Sequence, residues 1–281
     1  VNDALQSLLG GWYAEPVPLI AAAGAVLLYD RGARRLAAID PRRAPSRVQK
    51  VLLASGVAVI LVALLSPIDQ AALRLQWVHM VQHMLLLVVA APLIVLARPW
   101  RTGLAGFSPR LRRLLAAPGA WAGRSHGRQV TVAAVAVAGF VGVLWLWHVP
   151  ALYDLTLRNE AAHNLEHTAF LAVGLAFWTA AIPRTATPSL GQLGQSVVSL
   201  VGLVGSWMLA VYIGYSPQVL YAYAGSGSLS ASADQQIAAG VMWVPASVPF
   251  VAVLVVLAVR WFELDARSAA AELRARREAS V

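Results

Sequence analysis

Runs of about twenty predominantly apolar residues recur along this chain with short basic stretches between them, and no other feature restricts its possible folds as much. A bilayer core of about 30 Å is crossed by about 20 residues of helix. Backbone polar groups within it must be satisfied inside the spanning element. Helical spans are therefore expected at about 17 to 38, 51 to 68, 77 to 97, 130 to 149, 161 to 182, 193 to 215 and 237 to 259. The composition agrees, with 59% of the 281 residues hydrophobic and 12% charged, against roughly a quarter charged in ordinary soluble domains. The expected fold is an all-α, polytopic membrane helix bundle, a single transmembrane helical domain covering residues 1–281. The first span is the least regular. Glu15, Pro16 and Pro18 crowd its start, and Asp30, Arg31, Arg34 and Arg35 interrupt its end. No basic segment precedes it, so it is expected to remain a span and not to be a cleaved signal peptide.

Charge sets the orientation. Of the 22 Lys and Arg residues, all but Arg74 and Arg158 fall in alternate connections: 31 to 50, 98 to 128, Arg184, and the tail from Arg260. Cytoplasmic loops carry the excess of Lys and Arg, so this partition implies seven spans with the N-terminus outside and the C-terminus in the cytoplasm. Topology thereby accounts for the net charge of +9; membrane lipid is the expected partner, and nucleic acid is not. The mixed charges after Arg260 suggest that the last helix continues into the cytoplasm as a solvated segment.

The histidines carry the chemical signal. His126 lies among cytoplasmic arginines, an ordinary loop residue. The other five, His79, His83, His148, His163 and His167, all fall at outer ends of spans, because chain direction alternates across the membrane. His79/His83 and His163/His167 are spaced i, i+4, which puts both rings of a pair on one helical face, roughly 5–6 Å apart at Cβ. Each pair also occupies the first turns of its helix, where the macrodipole favours the neutral ring that a metal requires. A lone histidine at a helix end is more often an interfacial side chain bonded to backbone or water. Five at one depth, two pairs at chelating spacing, favour a metal site, since ionisable groups within membranes are functional by default. The chain has no cysteine, which excludes thiolate metal sites, iron–sulfur clusters and covalent haem attachment. Met80, Met84 and Met242 fall near the same outer zone, and thioether with imidazole suits copper, Cu(I) above all. Glu166, between His163 and His167, is a candidate to orient an imidazole.

Two other readings compete. His163-Asn164-Leu165-Glu166-His167 spells the HxxEH of inverted zinc metallopeptidases, although His79-Met80-Val81-Gln82-His83 has no matching carboxylate. Paired histidines on neighbouring helices can also hold a b-type haem. A retinal protein is excluded, because the only lysine is Lys50 and none lies in the last span.

The motifs together resemble a known family. His79-Met80-Val81-Gln82-His83-Met84 leads to Ala91-Pro92-Leu93, and is followed by Leu146-Trp147-His148-Val149-Pro150, by His163 to His167 and by Phe177-Trp178. With Ser66-Pro67-Ile68-Asp69 before them and Asp234-Gln235-Gln236, Met242-Trp243-Val244-Pro245 after them, these stretches resemble the CtaG-type cytochrome c oxidase assembly factors over about residues 17 to 260. The resemblance implies a multi-pass protein of the bacterial plasma membrane, not an enzyme, that matures a haem-copper oxidase by delivering copper to its subunits. The matching positions are His79, His83, His148, His163, His167, Asp234 and Met242. Copper is then the expected metal, with His79, His83, His163 and His167 as core ligands, His148 and Met242 as auxiliary ones, and Glu166 and Asp234 in support. Finally, the outer connection from Ser216 to Gln236, with Tyr221, Tyr223 and a Gly/Ser run from Gly225, reads as a mobile lid or docking surface.

Overall fold

The computed structural model describes residues 11–123, 125–183, 190–225 and 229–278; Arg184 and the centre of the Gly/Ser run at 226–228 lie outside them. Among the described residues the protein is all-helical. In chain order the helices are α1 (Pro16–Ile39), α2 (Arg47–Leu65), α3 (Pro67–Ala72), α4 (Gln76–Leu96), α5 (Pro99–Gly106), α6 (Pro109–Ala122), α7 (His126–Trp147), α8 (Pro150–Thr156), α9 (Glu160–Ala181), α10 (Gly191–Gly214) and α11 (Ala231–Glu278). Five of them are long and apolar enough to cross a membrane: α2, α4, α7, α10 and the first 37 residues of α11, Ala231–Arg267. The other two expected spans are helical as well. However, α1 carries Asp30, Arg31, Arg34 and Arg35, and α9 carries Glu160 and Glu166.

The basic connection 98 to 128 is more ordered than a loop. Pro99 and Pro109 each stand in the first turn of a helix, where a missing N–H costs nothing, and they start α5 and α6. α5 folds back along α1 at very close range: a Cβ on Gly32 would lie 1.8 Å from the carbonyl oxygen of Thr102, so only glycine fits there. Arg35 of α1 donates to the carbonyls of Ala105, Gly106 and Phe107 at 2.8–3.1 Å. One of the expected topology-setting arginines thus also closes the open C-terminal end of α5.

α4 is the central element. Of its most apolar stretch 67% is buried, against 28% for α2 and α7, because α2, α9 and α11 all pack on it. Its middle, Leu85–Ala90, is a π-helical turn, and the cause is in the sequence. Pro92 has no N–H to donate and its ring clashes with the carbonyl four residues back, so the turn before it widens. A carbonyl freed in this way inside a membrane needs another donor. Trp178 of α9 supplies one, its indole N–H donating to Leu87 O at 2.8 Å. Gly174 lets α9 approach at the same level. The Pro92 and Trp178 motifs therefore fix how α9 lies along α4, and both helices carry a histidine pair in their first turns.

Candidate metal centre

His79 and His83 extend from α4 and His163 and His167 from α9, each pair with ring centroids 4.2 Å apart. Across the helix interface His79 lies 5.1 Å from His163, and His83 lies 5.5 Å from His167. Glu166 projects between them: its Oε2 is 3.5 Å from Nε2 of His79 and 3.5 Å from Nε2 of His83. One ligand atom from each of His79, His83, Glu166 and His167 lies within 4.8 Å of all the others. Glu166 thus belongs to the ligand group itself; a helical i+3 position on α9 brings it to the same face as His163.

The group is sealed and unpaired. His79, His83 and Glu166 have no exposed surface, and His163 and His167 are 6% and 4% exposed. Nε2 of His79, both nitrogens of His83 and His167, Nε2 of His163 and both oxygens of Glu166 have no hydrogen-bond partner. Buried polar groups in folded proteins are nearly always satisfied, and an unpaired polar atom in a membrane interior is costly. A group of buried polar atoms without hydrogen bonds, with one ligand atom from each of four residues within 4.8 Å of the others, fits a bound cation.

The surroundings orient the rings. The Tyr223 hydroxyl donates to Ala72 O at 2.8 Å. Its oxygen lies 2.9 Å from Nδ1 of His79 and the Tyr153 hydroxyl lies 3.1 Å from the same nitrogen, so two phenols hold Nδ1 and turn Nε2 toward Glu166. His148, following the last residue of α7, is set the same way, since Nδ1 at 2.7 Å from Leu144 O must donate. Its free Nε2 lies 3.5 Å from the sulfur of Met80. Fixing the tautomer through the other ring nitrogen is how proteins aim metal-binding imidazoles.

Asp234 acts on the backbone of the histidine-bearing helix. Its carboxylate accepts from the backbone N–H of Gln76 at 2.8 Å and of Trp77 at 2.9 Å, at the start of α4, where Leu75 provides no side-chain cap. A residue of α11 thus caps the helix that carries His79 and His83. Met242, one of the expected auxiliary ligands, is buried in the same core cluster as Met80 and Met84; the thioether of Met80 lies 3.5 Å from Nε2 of His148. His126 begins α7 at the opposite end of the bundle.

The connection after α10 departs from the mobile lid expected of it. Gln235 donates to Ile213 O and Gln218 O and accepts from Leu220 N, Ala222 N donates to Asp154, and Tyr221 stacks on Tyr153 at 4.0 Å. Tyr221 and Tyr223 are buried. The described part of this segment is a packed roof over His79 and His148. Composition could not reveal this, because the Gly/Ser run lies next to the anchoring tyrosines and does not include them.

A second group adjoins the first. Asp69, His163 and His167 also offer ligand atoms within 4.8 Å of one another. Asp69 follows Pro67 in the first turn of α3, where it accepts from Gln82 Nε2 at 2.6 Å and from the Tyr13 hydroxyl. Glu15 lies near enough to both Asp69 and Glu160 to feel their charge: partial burial, then the Glu160 and Asp69 carboxylates, raise the Glu15 carboxyl above its ordinary range.

Fold and site together define a multi-pass helical membrane protein built around a buried histidine and carboxylate centre at one end of the bundle. The model of the cytochrome c oxidase caa3 assembly factor family (Caa3_CtaG) matches residues 27–263, and the chain belongs to this family. Neither a curated protein nor a solved structure matches it.

Proposed function

We propose that this protein binds copper at the His79, His83, Glu166 and His167 cluster and hands it to a haem-copper oxidase during assembly, without catalysing a reaction of its own. The observation that carries this reading is the convergence of unpaired, buried imidazole and carboxylate atoms from α4 and α9. His148 is an auxiliary ligand, and the thioether of Met80 beside it favours a soft ion. Copper here is cargo. The imidazoles hold it, Glu166 balances its charge, and the roof of Tyr153, Tyr221 and Tyr223 excludes water. In a bacterium deleted for this protein, oxidase purified from the membranes is expected to lack copper. Wild-type protein should restore it, and the His79→Ala, His83→Ala double variant should not. Full copper content in the deletion strain overturns the proposal.

Other ligands suit the geometry less well. A haem needs a porphyrin-sized gap between imidazoles, whereas Glu166 fills the space between the two pairs; a Soret band in the purified protein would restore that reading. A zinc peptidase needs its Glu open to substrate, whereas Glu166 has no exposed surface.

We also propose seven spans, with α1 and α9 crossing alongside the five apolar helices, the histidine end facing outward and the C-terminus in the cytoplasm of a bacterial plasma membrane. The distribution of arginines supports this orientation. A periplasm-active reporter should be silent when fused within 31 to 50 or 98 to 128 and active when fused near Asp154 or Ser228. The reverse pattern sinks the orientation.

A further inference from the structure

We infer that Asp69 and His163 form a separate entry station for the cation, and that His167 passes the ion from this station to the inner cluster of His79, His83 and Glu166. The inference rests on the proposed metal reading and deepens it. Three independent observations carry it. First, two ligand groups, each compact to 4.8 Å, share only His167. A neutral imidazole has one lone pair, so His167 serves one ion at a time and turns from one group to the other.

Second, the two groups differ in access. Asp69 is partly exposed, His163 and His167 retain a little surface, and His79, His83 and Glu166 have none. The ligand series therefore runs from the surface inward. Third, acidic groups gather around its outer end. Glu15 lies near enough to both Glu160 and Asp69 to feel their charge, so the surroundings of Asp69 carry negative charge that draws in a cation. Nε2 of His163 and both ring nitrogens of His167, residues more than nine-tenths buried, have no hydrogen-bond partner. Asp69 keeps acceptor capacity beyond its two hydrogen bonds, since an ionised carboxylate has about four lone-pair sites. Transfer needs no redox change: one ligand bond to Asp69 or His163 breaks as one to His79, His83 or Glu166 forms, while the bond to His167 persists.

The test uses the full chain, purified in detergent, with Cu(I) presented as its complex with bathocuproine disulfonate. Both the rate of copper uptake and the equilibrium retention are followed by absorbance. Asp69→Asn and His163→Ala are each expected to slow uptake about tenfold or more while leaving retention within about threefold of wild type. His83→Ala is expected to do the opposite, weakening retention by about tenfold or more with uptake little changed. If Asp69→Asn and His163→Ala load at the wild-type rate while His83→Ala loses the ion, the entry station is wrong and the inner site stands. If Asp69→Asn and His163→Ala weaken retention as much as His83→Ala does, the groups are one undivided site and the relay is wrong. If wild-type protein takes no copper, the metal reading itself fails. Asn keeps the size of Asp69 and accepts from Tyr13 or Gln82, and His163→Ala removes the station from a different helix, so a folding defect in one variant leaves the other informative.

Discussion

Purified protein carrying His79→Ala and His83→Ala together is expected to lose copper affinity by at least about 100-fold, because even the loss of outer-shell partners typically costs about 10 to 100-fold and here two direct donors of α4 disappear. Equilibrium dialysis with copper measured per protein reads the effect. His126→Ala, at the start of α7 and at the other end of the bundle, should bind as wild type does. The sign of the pH dependence follows from the same chemistry. Ligation requires neutral imidazole, so protons compete with the metal and wild-type occupancy should fall as the pH is lowered. A double variant with wild-type copper content would exclude the α4 pair from the site.

Asp234→Ala is expected to destabilise the protein and weaken metal binding without touching a ligand. The substitution leaves the N–H groups of Gln76 and Trp77 without their acceptor. The buried Gln76 N–H left unsatisfied costs about 1–3 kcal/mol, and the half-buried Trp77 N–H adds less. The consequence extends to function because Gln76 and Trp77 begin the turn that aims His79. Thermal unfolding in detergent should shift downward, and copper affinity should fall with it. Asp234→Asn retains one acceptor oxygen and should fall between the two. An unchanged unfolding temperature and affinity in Asp234→Ala would show that α4 is held by other contacts.

Much of the fold was legible because a membrane reduces the choices. Apolar length specifies spans, and all seven expected spans coincide with helices, five of them long and apolar enough to cross on those grounds alone. The expected continuation of the last helix is present too, α11 running from Ala231 to Glu278. The helical turns at 99 to 122 were not foreseen. Charge dominates that segment, and amphipathic packing against α1 depends on Gly32, whose role is visible only when Thr102 lies beside it.

At the site, the i, i+4 pairs and the alternation of chain direction were enough to bring four histidines to one depth, since both follow from helix geometry and topology. The partners that cross between helices could not be derived in this way. Glu166 as a member of the candidate ligand group, Met80 beside His148, and Tyr153 and Tyr223 at Nδ1 of His79 all depend on how each helix is rotated about its axis. Asp234 meets Gln76 across 158 residues, and Asp69 meets His163 and His167 from a different helix. The sequence by itself determined a helical membrane bundle and the end of it at which imidazoles gather, because hydropathy, charge bias and helical period are properties of each segment alone. Only the tertiary structure decided which atoms share the centre and which aim it, because rotation and register come from packing, above all from the Pro92 turn, Gly174 and Trp178 that lock α9 onto α4.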